Sequence, residues 1–411
     1  MLNVNIFANL YNKMGTYRVT YAPFELQAYG KDEIAAVVNC LHAGWLAGNG
    51  KLSHQFEQAV AEYFGKRFGL FVNSGSSALE IAAQIIDLEP LDEIITPALT
   101  FNTSVAPFVR KIQQTQHGVL RFCDVEINRY VPTVEQVLAQ VNEHTRIVLI
   151  PNLVGAKPNW EALRRQLPTR VILIEDSADT MTTTEHSDIA ICSFYSSHVI
   201  TAGGCGGVFM CNRSDWMTQA QVLCHWGRQS GANDTDDVHE RFSQSIDGIP
   251  FDWKFTYPKL GYNFKASEMN AAFGLAQMAR LDEILAQRRR IMDAYMTQLQ
   301  DTGIVLPVDY ERYNWMAIPL QYANRSALLY HLEQNGVQTR VLFAGNITRH
   351  PAFAEYRQAY ENCDTIMANG FLLGAHHGMT VEDVTYVCRL IKSFVSAIPE
   401  SYLTHTARQR P

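Results

Sequence analysis

The 411-residue chain lacks the marks of a membrane, secreted or nucleic-acid-binding protein. No apolar run approaches the ~18 residues that a membrane span requires. The stretch 1–10 has no basic region ahead of a long apolar segment, so no secretory leader is expected and the expected compartment is the cytoplasm. Positive charge is in deficit, with 34 Lys and Arg against 41 Asp and Glu and a net charge of -7. That balance argues against nucleic acid as a partner. It leaves room for a small phosphorylated molecule, because a few local donors can hold phosphate inside an acidic protein. Cysteine is scattered, at 40, 123, 192, 205, 211, 224, 363 and 388, with no CxxC pair. Neither a disulfide framework nor a zinc site is signalled; Cys205 and Cys211 are weak candidates for metal or thiol chemistry and read more simply as buried structural thiols. The composition, 47% hydrophobic and 18% charged, is that of an ordinary globular protein. Its length suggests about two to three domains.

The first half alternates helical and strand-like segments. The run 31–41 is amphipathic, and 52–64 reads as a second helix with Ser53 as its N-cap. Apolar strands follow at 68–72, 93–96, 119–123, 147–151, 171–175 and 189–194. Helical segments at 79–86, about 133–142 and about 159–167 separate several of them. Strands buried on both faces and alternating with helices predict an α/β fold with a large, mostly parallel sheet. The pattern changes after about residue 265. One long helix is predicted from Ser267 to Arg290, then a strand-like 315–320, a helix over 327–334 and a closing helix over 381–397. The expected division is a large α/β domain at 16–265 and a smaller C-terminal α+β domain at 266–400. Residues 227–248 are polar and aperiodic and read as a loop, and 405–411 as a frayed end.

Five places carry chemistry. Asn73-Ser74-Gly75-Ser76-Ser77 joins a strand to a helix, where backbone amides and serine hydroxyls make an anion site or a plain N-cap. Phe101, after the next strand, offers a flat ring for stacking or for the core. Glu175-Asp176 ends an apolar strand, and the carboxyl ends of parallel strands are where such sheets bind ligands. Asp179 follows three residues later. Ser193 precedes His198 by five positions, and the glycines of 203–207 let backbone approach a ligand closely. A histidine there can move protons near neutral pH. Finally, Asn263 and Lys265 stand just before a helix start.

Taken together, Ser74-Gly-Ser-Ser-Ala, Pro97 to Phe101, Glu175-Asp-Ser-Ala-Asp, Ser193-Phe-Tyr-Ser-Ser-His and Leu260-Gly-Tyr-Asn resemble the DegT/DnrJ/EryC1/StrS family. The match spans roughly residues 20 to 395. The resemblance implies the fold-type I pyridoxal-phosphate architecture, with a large cofactor-binding domain and a smaller C-terminal one. It implies that Gly75, Ser76 and Ser193 bind the cofactor phosphate, that Phe101 stacks on its ring and that Asp176 faces its nitrogen, with Asp179 beside it. Asn263 would reach the phosphate of a neighbouring subunit's cofactor, which implies a homodimer with shared sites.

Typical members have a lysine at position 198 that holds the cofactor covalently. A histidine there resembles the sugar 3-dehydratase branch, which acts on nucleotide-linked 4-keto-6-deoxyhexoses. Trp226-Gly-Arg, Tyr257 to Asn263 and Thr339 to Asn346 agree with that branch. Its iron–sulfur subgroup has a cysteine where this chain has Ala178, and a cysteine cluster after the Trp-Gly-Arg segment. Residues 229–244 contain none, so no iron–sulfur cluster is expected. The resemblance then implies a pyridoxamine-phosphate enzyme regenerated by glutamate as amino donor. His198 would carry the proton while hydroxide leaves C3, giving a 3,6-dideoxy-4-keto sugar, ammonia and pyridoxal phosphate. Tyr195, Trp226 and Arg228 are candidates for the sugar pocket, and Arg340 for a substrate phosphate or carboxylate. The glycine run is one residue longer than usual, with Gly204-Cys205 where a glutamate commonly sits. Two other readings remain open on these residues: a sugar-nucleotide aminotransferase without its lysine, and a non-catalytic cofactor- or sugar-binding regulator on the same fold.

Overall fold

The computed structural model describes residues 17–23, 29–231 and 235–397. Short apolar runs bounded by turn residues become seven strands of one sheet: β1 (Phe68–Val72), β2 (Glu93–Pro97), β3 (Val119–Cys123), β4 (Thr145–Pro151), β5 (Ile172–Ser177), β6 (Ile189–Ser193) and β7 (Gly207–Cys211). Their order is β1-β7-β6-β5-β4-β2-β3. Strands β2 to β6 pair in parallel, and β7 runs antiparallel to both β6 and β1. At sequence level β7 is concealed behind the glycine run, so its strand was not expected.

The near-continuous apolar strands are covered on both faces, as their composition requires. The helices Gly75–Ile85 and Asn102–Thr115 cover one face, where Ile81, Val105 and Phe108 pack with Ile172 and Ile174 of β5. Trp160–Gln166 covers the other, with Trp160 and Leu163 against Val148 and Leu173. Side chains alternate along a strand. Asp176 therefore shares the face of Ile172 and Ile174, whereas Glu175 points to the opposite one. There the Glu175 carboxylate accepts from Asn152 Nδ2 at 2.7 Å and lies 3.2 Å from Lys157 Nζ.

A third cluster forms where Lys51–Phe64 meets β1, β6 and β7. The Phe56 ring lies 4.9 Å from both Phe71 and Phe194. Burying such a ring is worth roughly 1.5–3 kcal/mol. Gly274 makes room for it, since a Cβ there would come within 2.5 Å of Phe56. Phe194 directly follows Ser193, so this packing fixes the start of the turn that carries His198.

The second layer is an antiparallel sheet of β10 (Ala317–Gln321), β12 (Gly370–Gly374) and β11 (Thr339–Val341), numbered after the hairpin strands β8 (Gln244–Ile246) and β9 (Ile249–Phe251). The helices Leu281–Leu299, Arg325–Gln334 and Val381–Ala397 contribute Ile291, Leu328 and Val384 to its core. No helix among the described residues is long and apolar enough to cross a membrane.

Four local expectations are corrected. Cys205, expected to be buried, is exposed, whereas Cys211 is buried. The single helix from Ser267 is two, Glu268–Ala279 and Leu281–Leu299, broken at Arg280 with φ -110° and ψ 8°. The first of these packs on Lys31–Ala43 and Lys51–Phe64, and so sits with the seven-stranded sheet although it follows residue 265. Ser53 is not the N-cap of its helix, which begins at Lys51 after Gly50. Its hydroxyl donates instead to Glu268, whose carboxylate also takes the amides of Gly50, Leu52 and Ser53 at 2.9–3.0 Å. A carboxylate from another segment thus caps these orphan donors. The described residues of 227–248 include the helix Val238–Arg241 and the start of a hairpin. Asp247 and Gly248 turn that hairpin with φ of 51° and 80°, as an Asp-Gly pair favours. The expected frayed end at 405–411 and the segment 1–10 lie outside the described residues, as do the outer limits of both expected domains.

Candidate active site

The carboxyl ends of β4, β5 and β6 and the turn after β1 open on one cavity of about 290 Å³. It is lined by Gly75, Ser76, Phe101, Asp176, Asp179, Ser193, Tyr195 and His198, together with Ser104 and Phe343. Eight of the twelve residues expected at the site are thus brought together, although they come from four segments of the chain.

The turn after β1 is built for close approach. Ser74 caps the helix Gly75–Ile85, accepting from the Ser77 amide at 3.1 Å. The amides of a first helical turn face outward and favour an anion. Gly75 lies against Ser193, where a Cβ would stand 2.9 Å from the serine Cβ. Gly207 lies on the other side, and a Cβ there would be 2.4 Å from the Gly75 nitrogen. The glycine run therefore serves the packing of strand on turn, and Gly203, Gly204 and Gly206 take left-handed φ of 71°, 97° and 125°.

Asp176 closes the floor and is 3% exposed. Its Oδ2 accepts from Ser104 Oγ at 2.7 Å and its Oδ1 from the Ala178 amide at 3.1 Å. Burial raises its pKa, against the pull of those two donors. Among the described residues no Lys or Arg pairs with it. Asp179 accepts from the Val154 amide at 2.8 Å, and burial pushes its carboxyl up to about 7, with the Asp176 charge adding to the rise. Two desolvated carboxylates without a cationic side chain suit a ligand that brings a protonated ring nitrogen.

His198 stands across from them. Its amide donates to the Tyr195 carbonyl at 3.0 Å, closing the turn after β6. Its Nδ1 lies 3.3 Å from the Ser193 carbonyl and its Nε2 3.9 Å from Asp179 Oδ1. The Nδ1 contact suits the tautomer with its proton there, leaving Nε2 free to accept. Burial lowers the imidazole pKa to about 4, the Ser193 carbonyl opposing and the Arg288 charge assisting. Phe101 is 49% exposed and meets Phe343 edge-on, with ring centres 5.9 Å apart. Phe343 itself has φ of 45°, a strained conformation for a bulky side chain at a cavity wall.

An adjoining cavity of about 770 Å³ shares Phe101, Tyr195, His198 and Phe343 and extends to Tyr21 and Arg340. Arg340 has no ion-pair partner among the described residues. Its guanidinium lies 5.3 Å from the Tyr21 ring centre and donates to its neighbour's carbonyl, that of Thr339, at 2.7 Å. Trp226 and Arg228, expected at the sugar pocket, line neither cavity. The Trp226 amide is held by the Tyr262 carbonyl at 2.8 Å, and Arg228 lies between the Trp226 and Phe255 rings, 4.5 and 5.1 Å away. Asn263 is exposed on the same surface and bridged to His225. Ser104, Phe343 and Arg288 were missed at sequence level. Phe343 lies in a segment that the sequence singled out without assigning it a role; the other two carry no local signal.

The chain matches known proteins in sequence and in fold. Residues 27–392 match the model of the DegT/DnrJ/EryC1/StrS aminotransferase family. The chain belongs to that family. It is 32% identical to the lipopolysaccharide biosynthesis protein RfbH of Salmonella typhimurium, over 89% of this chain and 90% of that one. It is 30% identical to the dTDP-4-dehydro-2,6-dideoxy-D-glucose 3-dehydratase of Saccharopolyspora spinosa, over 89% and 84%. A structure of the Escherichia coli GDP-4-keto-6-deoxy-D-mannose-3-dehydratase with bound hydrated PLP superposes with a TM-score of 0.78 at 20% identity, over 91% of this chain and 99% of that one. The fold is that of the fold-type I pyridoxal-phosphate enzymes. Relatives at lower identity include the GDP-perosamine synthase of Vibrio cholerae, at 24%.

Proposed function

We propose that this family member is a pyridoxal-phosphate-dependent lyase, a C3 dehydratase of a nucleotide-linked 4-keto-6-deoxyhexose in deoxysugar biosynthesis, with glutamate restoring the amine form of the cofactor. The observation that carries the reading is the side chain at 198. An imidazole at the cavity wall, 3.9 Å from Asp179, can take and return a proton but cannot hold the cofactor covalently. A lysine there would compete for the cofactor aldehyde.

The residues fit the cofactor. The Gly75 and Ser76 turn and the Ser193 hydroxyl would hold its phosphate, Phe101 would cover its ring, and Asp176, with Asp179 behind it, would face its nitrogen. Bound pyridoxamine phosphate supplies an electron sink conjugated to the C4 carbon of the sugar, which makes the neighbouring C3 hydroxyl a leaving group. His198 is suited to move the proton at Nε2, because burial keeps it neutral at pH 7. A placed base of this kind is worth roughly 10²–10⁴-fold. Tyr195 and Phe343 stand at the passage between the two cavities, and Arg340, unpaired at the outer wall, would take a phosphate or carboxylate of the substrate.

Asn263 and Trp226 are exposed, as are Tyr257 and Leu260, the last 97% exposed, and Arg228 is half-buried between the Trp226 and Phe255 rings. A second copy of the chain would cover this patch and receive those residues at its own site, making a homodimer. The decisive test supplies glutamate, pyridoxal phosphate and GDP-, CDP- or dTDP-linked 4-keto-6-deoxyhexoses, and analyses the products by mass spectrometry. A 3-deoxy-4-keto sugar with free ammonia is the expected result. A 4-amino sugar would instead establish the aminotransferase reading.

A further inference from the structure

Behind the His198 turn lies a cation with no anion to meet it. Arg288, on the helix Leu281–Leu299, is 2% exposed. Its Nη2 donates to the carbonyls of His198 and Val199 at 3.0 and 3.3 Å. Its Nη1 donates to those of Met316 and Ala375 at 2.9 and 3.3 Å, which flank the ends of β10 and β12. Its Nε has no partner, and among the described residues no carboxylate lies within ion-pair distance. Burying a guanidinium with carbonyls alone is unfavourable, and an apolar residue would fill the space at lower cost. The fork nevertheless does one thing that no apolar residue could. It ties the turn bearing the imidazole to two strand ends of the second layer.

We propose that Arg288 is a positioning residue for His198, clamping the turn against the three-stranded sheet so that the reach of the imidazole into the cavity is set from behind. The proposal rests on His198 being the proton carrier of the preceding reading. Charge supports it. Arg288 also faces Tyr21 and His376, while Asp179 faces Tyr21 and His198 with Asp176 beside it. Its positive charge disfavours protonation of His198 and adds to the effect of burial. One side chain thus holds the turn in place and keeps its imidazole able to accept a proton.

The test uses the full-length chain with ¹³C-labelled histidine, His198 being assigned by loss of its signal in His198→Asn. In cofactor-free Arg288→Met, the His198 titration should move up by about one unit, the size expected when a nearby like charge is removed. Arg288→Lys keeps the charge and loses the fork. Its His198 titration should stay near that of the natural chain while kcat falls about 10²-fold, as for a small misplacement of a reacting group, with KM little changed. Should Arg288→Met fail to fold, Arg288→Lys alone decides, with its circular dichroism and melting temperature as controls. Full kcat in Arg288→Lys, or an unmoved titration in a folded Arg288→Met, overturns the proposal. Turnover that survives His198→Asn sinks the reading of His198 as proton carrier instead, and leaves the titration arm to judge Arg288.

Discussion

Replacing Asp179 with asparagine should make the cofactor-free protein more stable, and increasingly so as the pH rises. Burial pushes the Asp179 carboxyl from 3.8 up to about 7, with the Val154 amide opposing and Asp176 adding. The folded chain therefore holds a proton between pH 3.8 and 7 that the unfolded chain has lost. In that window stability falls as the pH rises, by about 1.4 kcal/mol per unit and about 4 kcal/mol in all. His198 has the opposite sign. Its pKa is depressed from 6.5 to about 4, so its contribution is complete above 6.5 and lost as the pH falls toward 4. The two slopes oppose one another between about 4 and 6.5, which would hide both in the natural chain. Asp179→Asn removes the first and keeps an oxygen for the Val154 amide. The difference in stability between variant and natural chain should therefore grow by about 3 kcal/mol from pH 5 to pH 8. At roughly 2.1 cal/mol/K per residue of unfolding entropy, that is about 3 °C in melting temperature. Scanning calorimetry of both cofactor-free proteins at pH 5, 6, 7 and 8 measures it. A gap that stays flat or narrows with pH would refute the account of a desolvated, neutral-leaning carboxyl.

His198→Lys should bind pyridoxal phosphate covalently, read as a cofactor-sized mass gain after borohydride reduction; no gain would mean that position 198 does not reach the cofactor. Gly207→Ala puts a Cβ 2.4 Å from the Gly75 nitrogen and 2.5 Å from the Ser74 carbonyl carbon, so turn and strand must part by about 1 Å. Because β7 is paired on both edges, the turn is the side that gives way. Cofactor affinity should fall about 10²-fold and stability by about 1–3 kcal/mol. Fluorescence titration and melting measure these, and unchanged affinity would refute the role given to the glycine.

What the sequence made legible was whatever lies close along the chain. The apolar run ending in Glu175-Asp176 announced a strand end, and the alternation of side chains then decides which of the two carboxylates faces the cavity. Ser193 and His198 are joined by one short turn, so their spacing alone placed them together. Partners contributed by distant segments were not legible. Ser104 meets Asp176 across 72 positions and Arg288 meets His198 across 90. Both contacts depend on strand order and on how the second layer docks, neither of which leaves a mark on a serine in a first helical turn or on one arginine in an arginine-rich helix. The hairpin at Asp247-Gly248 is a different case, because its turn pair was visible and the polar composition around it masked the signal. Trp226 and Arg228 show the limit from the other side. Both were expected at a sugar pocket, yet the backbone tie of Trp226 to Tyr262 and the Trp226 and Phe255 rings around Arg228 hold them away from both cavities of their own chain. In the homodimer proposed above, the pocket they serve would be that of the neighbouring copy.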